Sequence, residues 1–555
     1  VPLTLLIACA WITDGAVTDR QCELSPEAEG CSASGDSAPD IDSADTDWGP
    51  DTDTDTDTDT DTDTGGATTW HRDADVDGFG DEHEQIRSTA VPSGYVAATE
   101  LGFDCDDNDS TSYPGAAERF DGRDNDCDGR VDQEIPLGSA DAILEGESDG
   151  DSFGSSLAYA DTAKQRLLVI GARDYGVDGL EPGAAYLLPA DTLESLSTRV
   201  DDGVRLTGAA HADEAGSGVA IVSEFGGPGT HLLAVAAPNA SGGDGAVYLV
   251  DLVDLPASGT LAATSAALTG VAGLSLGRGL AAADVDGDGA VELAIGAPGY
   301  SGGRVFVVAG PVTGSGSASE LARVTLTAET DTDYLGYGGV APAGDIDEDG
   351  DDDLLLGAYL AGGAGRAYLA DAGAPGTKVV TEDAIDDTDS AADGAANGDW
   401  FGYGLAGGAD LCGDARPDIA VAAPGGAYVR VYCDGGLAAL PTLTLRGETA
   451  YDSRGRAGRH MVVADLDGDG RTDLLLSDMG FDEERGKVYV LYGPLPSGEL
   501  DLADADATFV GEAAGDLAGS ALAASEVDGH GRRQVAIGAI GAQDEAGRVY
   551  VFGRE

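Results

Sequence analysis

Lysine is nearly absent from this 555-residue chain: only Lys164, Lys378 and Lys487 occur. The 29 Lys and Arg residues stand against 102 Asp and Glu, for a formal net charge of −73. A surface of that sign repels phosphate backbones and anionic headgroups, so nucleic acid is excluded as a partner. Aromatic residues are also scarce, at 6% of the chain against 85 glycines, which suits short strands and tight turns better than long helices. Histidine offers little: His71, His83, His211, His231, His460 and His530 are scattered, with no metal-ligand pair and no Ser-His-Asp order. His460 and His530 read as structural. H-E-x-x-H does not occur, and with no catalytic motif recognised the chain is not expected to be an enzyme.

What is abundant is carboxylate, either to hold cations or for general acidity, and spacing decides between the two. Cysteine supplies a frame. The opening VPLTLLIACA is too short to span a bilayer. Its end, Leu6-Ile7-Ala8-Cys9, resembles the lipobox of a bacterial lipoprotein signal. That resemblance implies a signal remnant over 1–9, lipidation of Cys9, a membrane anchor at the N-terminus, and an extracytoplasmic place on the outer membrane or cell surface. The other six cysteines fall into close couples, Cys22–Cys31, Cys105–Cys127 and Cys412–Cys433, which suit disulfides in an oxidising exterior. Residues 10–69 form an acidic, Ser/Thr-rich linker, with seven consecutive Asp-Thr pairs over 51–64. The linker shows neither apolar period and repels itself, so it is expected to be an extended, disordered stalk.

Residues 70–134 carry regularly spaced acids. Asp73, Asp75, Asp77 and Asp81 stand at positions 1, 3, 5 and 9 of one loop. Asp104, Asp106 and Asn108 alternate in DCDDND, and Asp124, Asp126, Asp128 and Asp132 repeat the 1-3-5-9 spacing. The pattern DCDD…PGA-x-E…DG-x-DNDCDG resembles the MopE-type metal-binding repeat of secreted bacterial proteins. The resemblance implies a small metal-binding module stapled by Cys105–Cys127. It departs at Phe120, where a further cysteine is usual.

From residue 137 to 555 a repeat takes over. A glycine in an FG- or LG-like signature recurs at Gly154, Gly216, Gly277, Gly336, Gly402, Gly458 and Gly519, at spacings of 62, 61, 59, 66, 56 and 61 residues. Each is followed by an alternating strand, a polar loop, and an apolar strand such as LLVIGAR, LAIGAP or LLLSDM. A third strand (RVFVV, KVYVL) and a fourth (RLTG, TFVG) complete the unit. Seven units of four short antiparallel strands predict an all-β fold, a seven-bladed β-propeller, with the apolar second strand as the inner strand that builds the ring. The array opens on a fourth-strand sequence over 142–146 and ends on a third strand, so 142–146 is expected to complete the last blade. The signature resembles the FG-GAP repeat of the integrin α-subunit head, itself a seven-bladed propeller.

Three loops between first and second strands share one acidic spacing: Asp284, Asp286, Asp288 and Glu292; Asp345, Asp347, Asp349 and Asp353; Asp465, Asp467, Asp469 and Asp473. Ca²⁺ takes ~6–8 oxygens, so ligands must converge from a compact loop. Alternate carboxylates, the carbonyl at position 7 (Ala290, Asp351, Arg471) and the acid at 9 can supply them. An EF-hand is excluded, because position 12 is Ile295, Leu356 or Leu476 inside an apolar strand. Mg²⁺, with its stricter octahedron, is disfavoured. Calcium is therefore expected at three propeller sites at least, with more in the N-terminal module. The fifth repeat keeps Asp410, Asp414 and Asp418 but has Cys412 at position 3, and the seventh offers Glu526, Asp528, His530 and Gln534.

The resulting expectation is a calcium-braced cell-surface propeller serving adhesion or binding an extracellular protein or glycan. A structural envelope component and a propeller-scaffold hydrolase or lyase are the alternatives. The integrin resemblance puts the ligand face opposite the acidic loops, on segments 174–183, 238–245, 298–303, 359–365, 390–400 and 478–486. Tyr300, Tyr334, Tyr359, Trp400 and Phe481 are the aromatic candidates there.

Overall fold

The repeated glycine shapes the architecture at a single position. Gly154, Gly216, Gly277, Gly336, Gly402, Gly458 and Gly519 all have φ between +75° and +101°, a region that L side chains seldom enter. Space forbids a side chain as well. A Cβ on Gly216 would lie 2.0 Å from the Ala184 carbonyl oxygen, and one on Gly402 would lie 2.4 Å from that of Arg366. Each glycine thus tucks the start of one repeat under the third strand of the repeat before it.

A computed structural model of the chain describes residues 67–554 apart from short stretches, the longest being 387–396, 434–440, 449–456 and 526–532. Cys9, the Cys22–Cys31 couple and the stalk up to residue 66 lie outside the described residues, as do Glu526, Asp528 and His530.

Seven sheets follow one another with the strand order 1-2-3-4. Sheet 3 is representative. Gly279–Ala283, Glu292–Ala297, Arg304–Val308 and Val324–Thr327 pair antiparallel in turn, with Leu280 opposite Ile295 and Ile295 opposite Phe306. The first strands of successive sheets lie beside one another in order, and that of sheet 7, Ala518–Ser525, lies beside that of sheet 1, Phe153–Asp161. This is the arrangement of a β-propeller. The innermost place belongs to the first strand, which corrects the expectation that the apolar second strand lines the ring. Second strands such as Glu292–Ala297 and Asp473–Asp478 are buried at every position. Strands 1 and 3 flank them and adjacent sheets cover both faces, which is why they are the most apolar. First strands need small residues instead, as in GLAAA over Gly279–Ala283, because they converge at the axis.

Sheet 7 is Ala518–Ser525, Arg533–Ala539 and Arg548–Arg554, with Ala142–Glu145 as its fourth strand. Leu144 pairs with Val549 and Ile143 with Tyr550. A second device was invisible in the sequence pattern. Just before a fourth strand, two to four residues clip in parallel onto the fourth strand of the preceding sheet. Gly259–Thr260 pairs with Leu206–Thr207, Gly316–Ser317 with Leu268–Thr269, and Gly498–Asp501 with Leu443–Arg446. Ile135–Pro136 does the same to Phe509–Val510 of sheet 6. The segment over 135–145 therefore serves two sheets at once.

The N-terminal module begins at Thr68, two residues before the sequence boundary, with a sheet of Thr68–Arg72, Gln85–Ser88 and Tyr95–Ala97. It is docked on sheets 6 and 7. Phe120, which stands where a cysteine is usual, is 4% exposed. Its ring lies 5.1 Å from that of Phe509, and the Arg554 guanidinium covers it at 5.0 Å. The Gln133 amide donates to the Ala505 carbonyl at 2.6 Å. The cysteine position has become an apolar anchor.

Candidate metal centres

The acidic loops owe their shape to three sequence features. The residue at position 2, Val285, Ile346, Leu411 or Leu466, is apolar and buried, and pins the loop to the core. Positions 4 and 6 take left-handed backbone: φ is +65° and +83° at Gly287 and Gly289, and +89° and +82° at Gly468 and Gly470. Sheet 5 manages the same at position 6 with Ala415 at φ +68°. The first carboxylate then caps the turn. Asp284 accepts the N–H of Asp288 at 3.1 Å and of Gly289 at 2.9 Å. Asp345 accepts those of Asp349 and Gly350, Asp410 those of Asp414 and Ala415, and Asp465 that of Gly470. Asp124 of the N-terminal module does likewise with Asp128 and Gly129.

The acid at position 9 opens the second strand and is buried in every described loop: Glu292, Asp353, Asp418 and Asp473 are at most 5% exposed. One oxygen of each accepts the N–H at position 2, over 2.7–3.1 Å. Burial pushes the Glu292 carboxyl up to about 7, and those of Asp353, Asp418 and Asp473 up to about 6. Loss of solvent is the main cause, and carboxylates in the same loop add to it, with Asp286 next in importance for Glu292. Arginines lean on three loops: Arg323 meets Asp286 at 2.5 Å, Arg416 meets Glu348 at 2.7 Å and Arg533 meets Asp465 at 3.1 Å. In sheet 5 the loop geometry survives without the position-3 carboxylate, and Cys412, which stands in its place, is joined to Cys433 at the end of the third strand. Gln534 of sheet 7 is buried in its second strand.

The N-terminal module builds its acidic groups across segments rather than within one loop. Asp75, Asp77 and Asp104 each offer an oxygen within 4.8 Å of the others; so do Asp73, Asp75 and Asp107, and also Glu118, Asp124 and Asp126. Asp107 and Glu118 therefore join the candidate ligands, although the sequence reading kept both only as parts of a motif. Asp106 and Asn108 face solvent. Asp81 accepts the His83 N–H at 2.7 Å. Asp132 accepts the N–H groups of Asp121 and Gly122 and meets Arg554 at 3.4 Å, so its carboxylate ties the module to sheet 7. The donor chemistry fits a cation. Asp75 Oδ2, Asp77 Oδ2, Asp104 Oδ2, Glu118 Oε2 and Asp418 Oδ1 are buried with no hydrogen-bond partner among the described residues, a costly state for carboxylate oxygens unless something positive faces them. Burial raises Asp104 to about 6 and Glu118 to about 7. Cys105 and Cys127 form the second disulfide among the described residues.

At the opposite end of the sheets, Tyr334 and Trp400 are each 41% exposed, and Tyr359 stacks edge-on with Tyr403 at 5.3 Å. Tyr300 lies outside the described residues and Phe481 is half-buried.

Comparison with known families agrees with both halves. The family model for the Cu-binding, MopE-type metal-binding motif matches residues 104–133. An FG-GAP repeat matches residues 276–308 and an FG-GAP-like repeat residues 410–476. Integrin alpha-PS2 of Drosophila melanogaster is 30% identical over 196 residues, 32% of this chain. The match covers 13% of that protein's length.

Proposed function

We propose that this chain is a cell-surface ligand-binding module whose propeller is braced by calcium at the end opposite its ligand face. One observation carries the reading: four consecutive sheets, 3 to 6, repeat one loop geometry in which a buried position-9 acid waits at the base of converging carboxylates. Acids gathered at that depth repel one another until a cation joins them, and an oxygen-only donor set from one compact loop suits Ca²⁺. Sheets 3, 4 and 6 keep the full carboxylate set, and the groups around Asp75 and around Glu118 add sites of the same character. Bracing one end stiffens the turns at the other, where exposed Tyr334 and Trp400 stand. The similarity to an integrin supports adhesion as the use of that face, and the lipobox-like start supports a lipid anchor that holds it outside the cell.

The test is a protein and glycan array probed with and without calcium, alongside thermal melts in calcium and in EDTA. Ligand capture that needs calcium, with a melt lowered by EDTA, is expected. A melt indifferent to EDTA removes the bracing role, and a silent array removes the binding role.

A further inference from the structure

The residue that follows each repeat glycine reaches the axis. A cavity of about 190 Å³ opens there, and its wall includes Ser155, Ser217, Arg278, Tyr337, Tyr403, Arg459 and Ser520, the same position in all seven repeats. Around the ring the order is not random. Ser520, Ser155 and Ser217 come from consecutive sheets 7, 1 and 2 and form one arc. Facing them, Arg278 and Arg459 flank Tyr337 and Tyr403. The end of a second strand adds Arg173 to the wall. Among the described residues no acid lines the cavity, in a chain where acids outnumber Lys and Arg 102 to 29. The cavity lies at the end away from the acidic loops, because first strands start there.

The side chains are already posed. The Arg459 guanidinium sits 5.0 Å above the Tyr403 ring and has no carboxylate partner among the described residues. Arg278 lies 6.0 Å from the Tyr337 ring; its Nη2 meets Glu214 and donates to the Asn239 amide oxygen, both at 3.3 Å, which leaves the rest of its N–H edge for a ligand. A guanidinium held by its face on an aromatic ring keeps its N–H edge for a planar anion, and carboxylate is the best geometric match. The two tyrosines are 6.1 Å apart, with Tyr359 wedged at 5.3 Å from each. They form an apolar platform with polar tips. Across from them the Ser217 hydroxyl is buried with no hydrogen-bond partner among the described residues, while Ser155 and Ser520 donate to the Gly216 and Gly154 carbonyls, accept one backbone N–H each, and keep one lone pair to accept from a ligand hydroxyl. A cavity of ~150 Å³ holds a benzene ring, so this one admits a single substituted six-membered ring.

We infer that the axial cavity binds the acidic sugar of a glycan: a pyranose whose carboxylate pairs with Arg459 and Arg278, whose apolar face lies on the tyrosines, and whose hydroxyls meet the serine arc. This rests on the proposed ligand face and names its ligand class. The net charge narrows the choice further. Polyanions are repelled by the surrounding surface, whereas a ring with one carboxylate and several hydroxyls loses little on approach. A peptide C-terminus would offer the carboxylate but no ring edge of hydroxyls for the serines.

The test is calorimetric titration of the full chain, in calcium, with glucuronate, glucose and N-acetyl-alanine. Glucuronate is expected to bind at least about tenfold more tightly than either of the others, the margin a charge-assisted hydrogen bond supplies. The double variant Arg278→Gln/Arg459→Gln should lose that margin at an unchanged melting temperature. The comparison of acid with neutral sugar on the unaltered chain decides the matter even if the variant folds poorly. Equal binding of glucose, tighter binding of N-acetyl-alanine, or no heat with glucuronate at millimolar concentration overturns the inference. If glucuronate fails while the array still finds another ligand, the inference falls and the proposed function stands. If both are silent, both fall.

Discussion

The position-9 acids are the residues with most at stake, since each is buried, accepts at least one backbone N–H and is held well above the usual carboxylate range. For an acid raised on folding, the folded form binds more protons than the unfolded one between about 4 and the raised value, so cation-free stability falls as pH rises through that window. With Asp353, Asp418 and Asp473 at about 6 and Glu292 at about 7, the cation-free chain should lose stability from pH 4 to 7. A cation must displace these protons, so its affinity should rise over the same range. Melts in EDTA and in calcium are expected to nearly coincide at pH 5 and to separate clearly at pH 7.5. Separation of equal size at both pH values would contradict this. Glu292→Gln gives a sharper version. The amide carbonyl still accepts from Val285, while the buried charge is gone. The variant should melt higher than the parent in EDTA, lower in calcium, and bind one cation fewer by calorimetry; a filled site at hundredfold saturation is worth ~2.7 kcal/mol.

At the scale of elements, the apolar second strands and the repeat glycines were legible because their constraints are local. A strand covered on both faces must be apolar throughout, and a left-handed corner without room for Cβ must be glycine. The parallel clips were not legible: Gly259–Thr260 and Gly316–Ser317 are two residues long and offer backbone groups, to which the Thr207 and Thr269 hydroxyls also donate. Asp107 and Glu118 were hidden for another reason, since only the folded module brings them to Asp73 and Asp124. The axial ring escaped because it shares a position and not a residue type. Two element-level outcomes follow. Cys412→Ala/Cys433→Ala opens a bridge of sequence separation 21 and should cost about 3 kcal/mol, read from denaturant melts in calcium. Phe120→Ala empties the contact with Phe509 and Arg554. It should cost about 3 kcal/mol of docking, seen as faster proteolysis within 67–134 while the propeller stays resistant. Equal protection of parent and variant would show that Phe120 is no anchor.

Taken whole, residues 66–555 cluster as one unit, and the module on sheets 6 and 7 is part of it through Asp132, Gln133 and Phe120. An N-terminal module tethered only by its chain would leave the propeller's stability untouched on removal. Here removal of residues 67–134 is expected to lower the propeller's melting temperature, because Arg554 and Phe509 lose their cover and the Tyr492 hydroxyl loses the Asp132 carboxylate it donates to. An unchanged melt would mean that the contacts carry no stability.

The double use of residues 135–145 also sets an order in time. As the chain emerges, this segment appears before any sheet exists, yet its partners are Phe509–Val510 and Arg548–Arg554, more than 360 residues later. Sheets 1 to 5 can form behind it as they are made, but the segment itself stays unpaired until sheets 6 and 7 arrive. Pairings so distant in sequence are slow to find and leave strand edges bare meanwhile. Until the last sheet is made, the nascent protein is an open arc with two bare edges, and the dense acidic charge on its loops opposes the meeting of one arc with another.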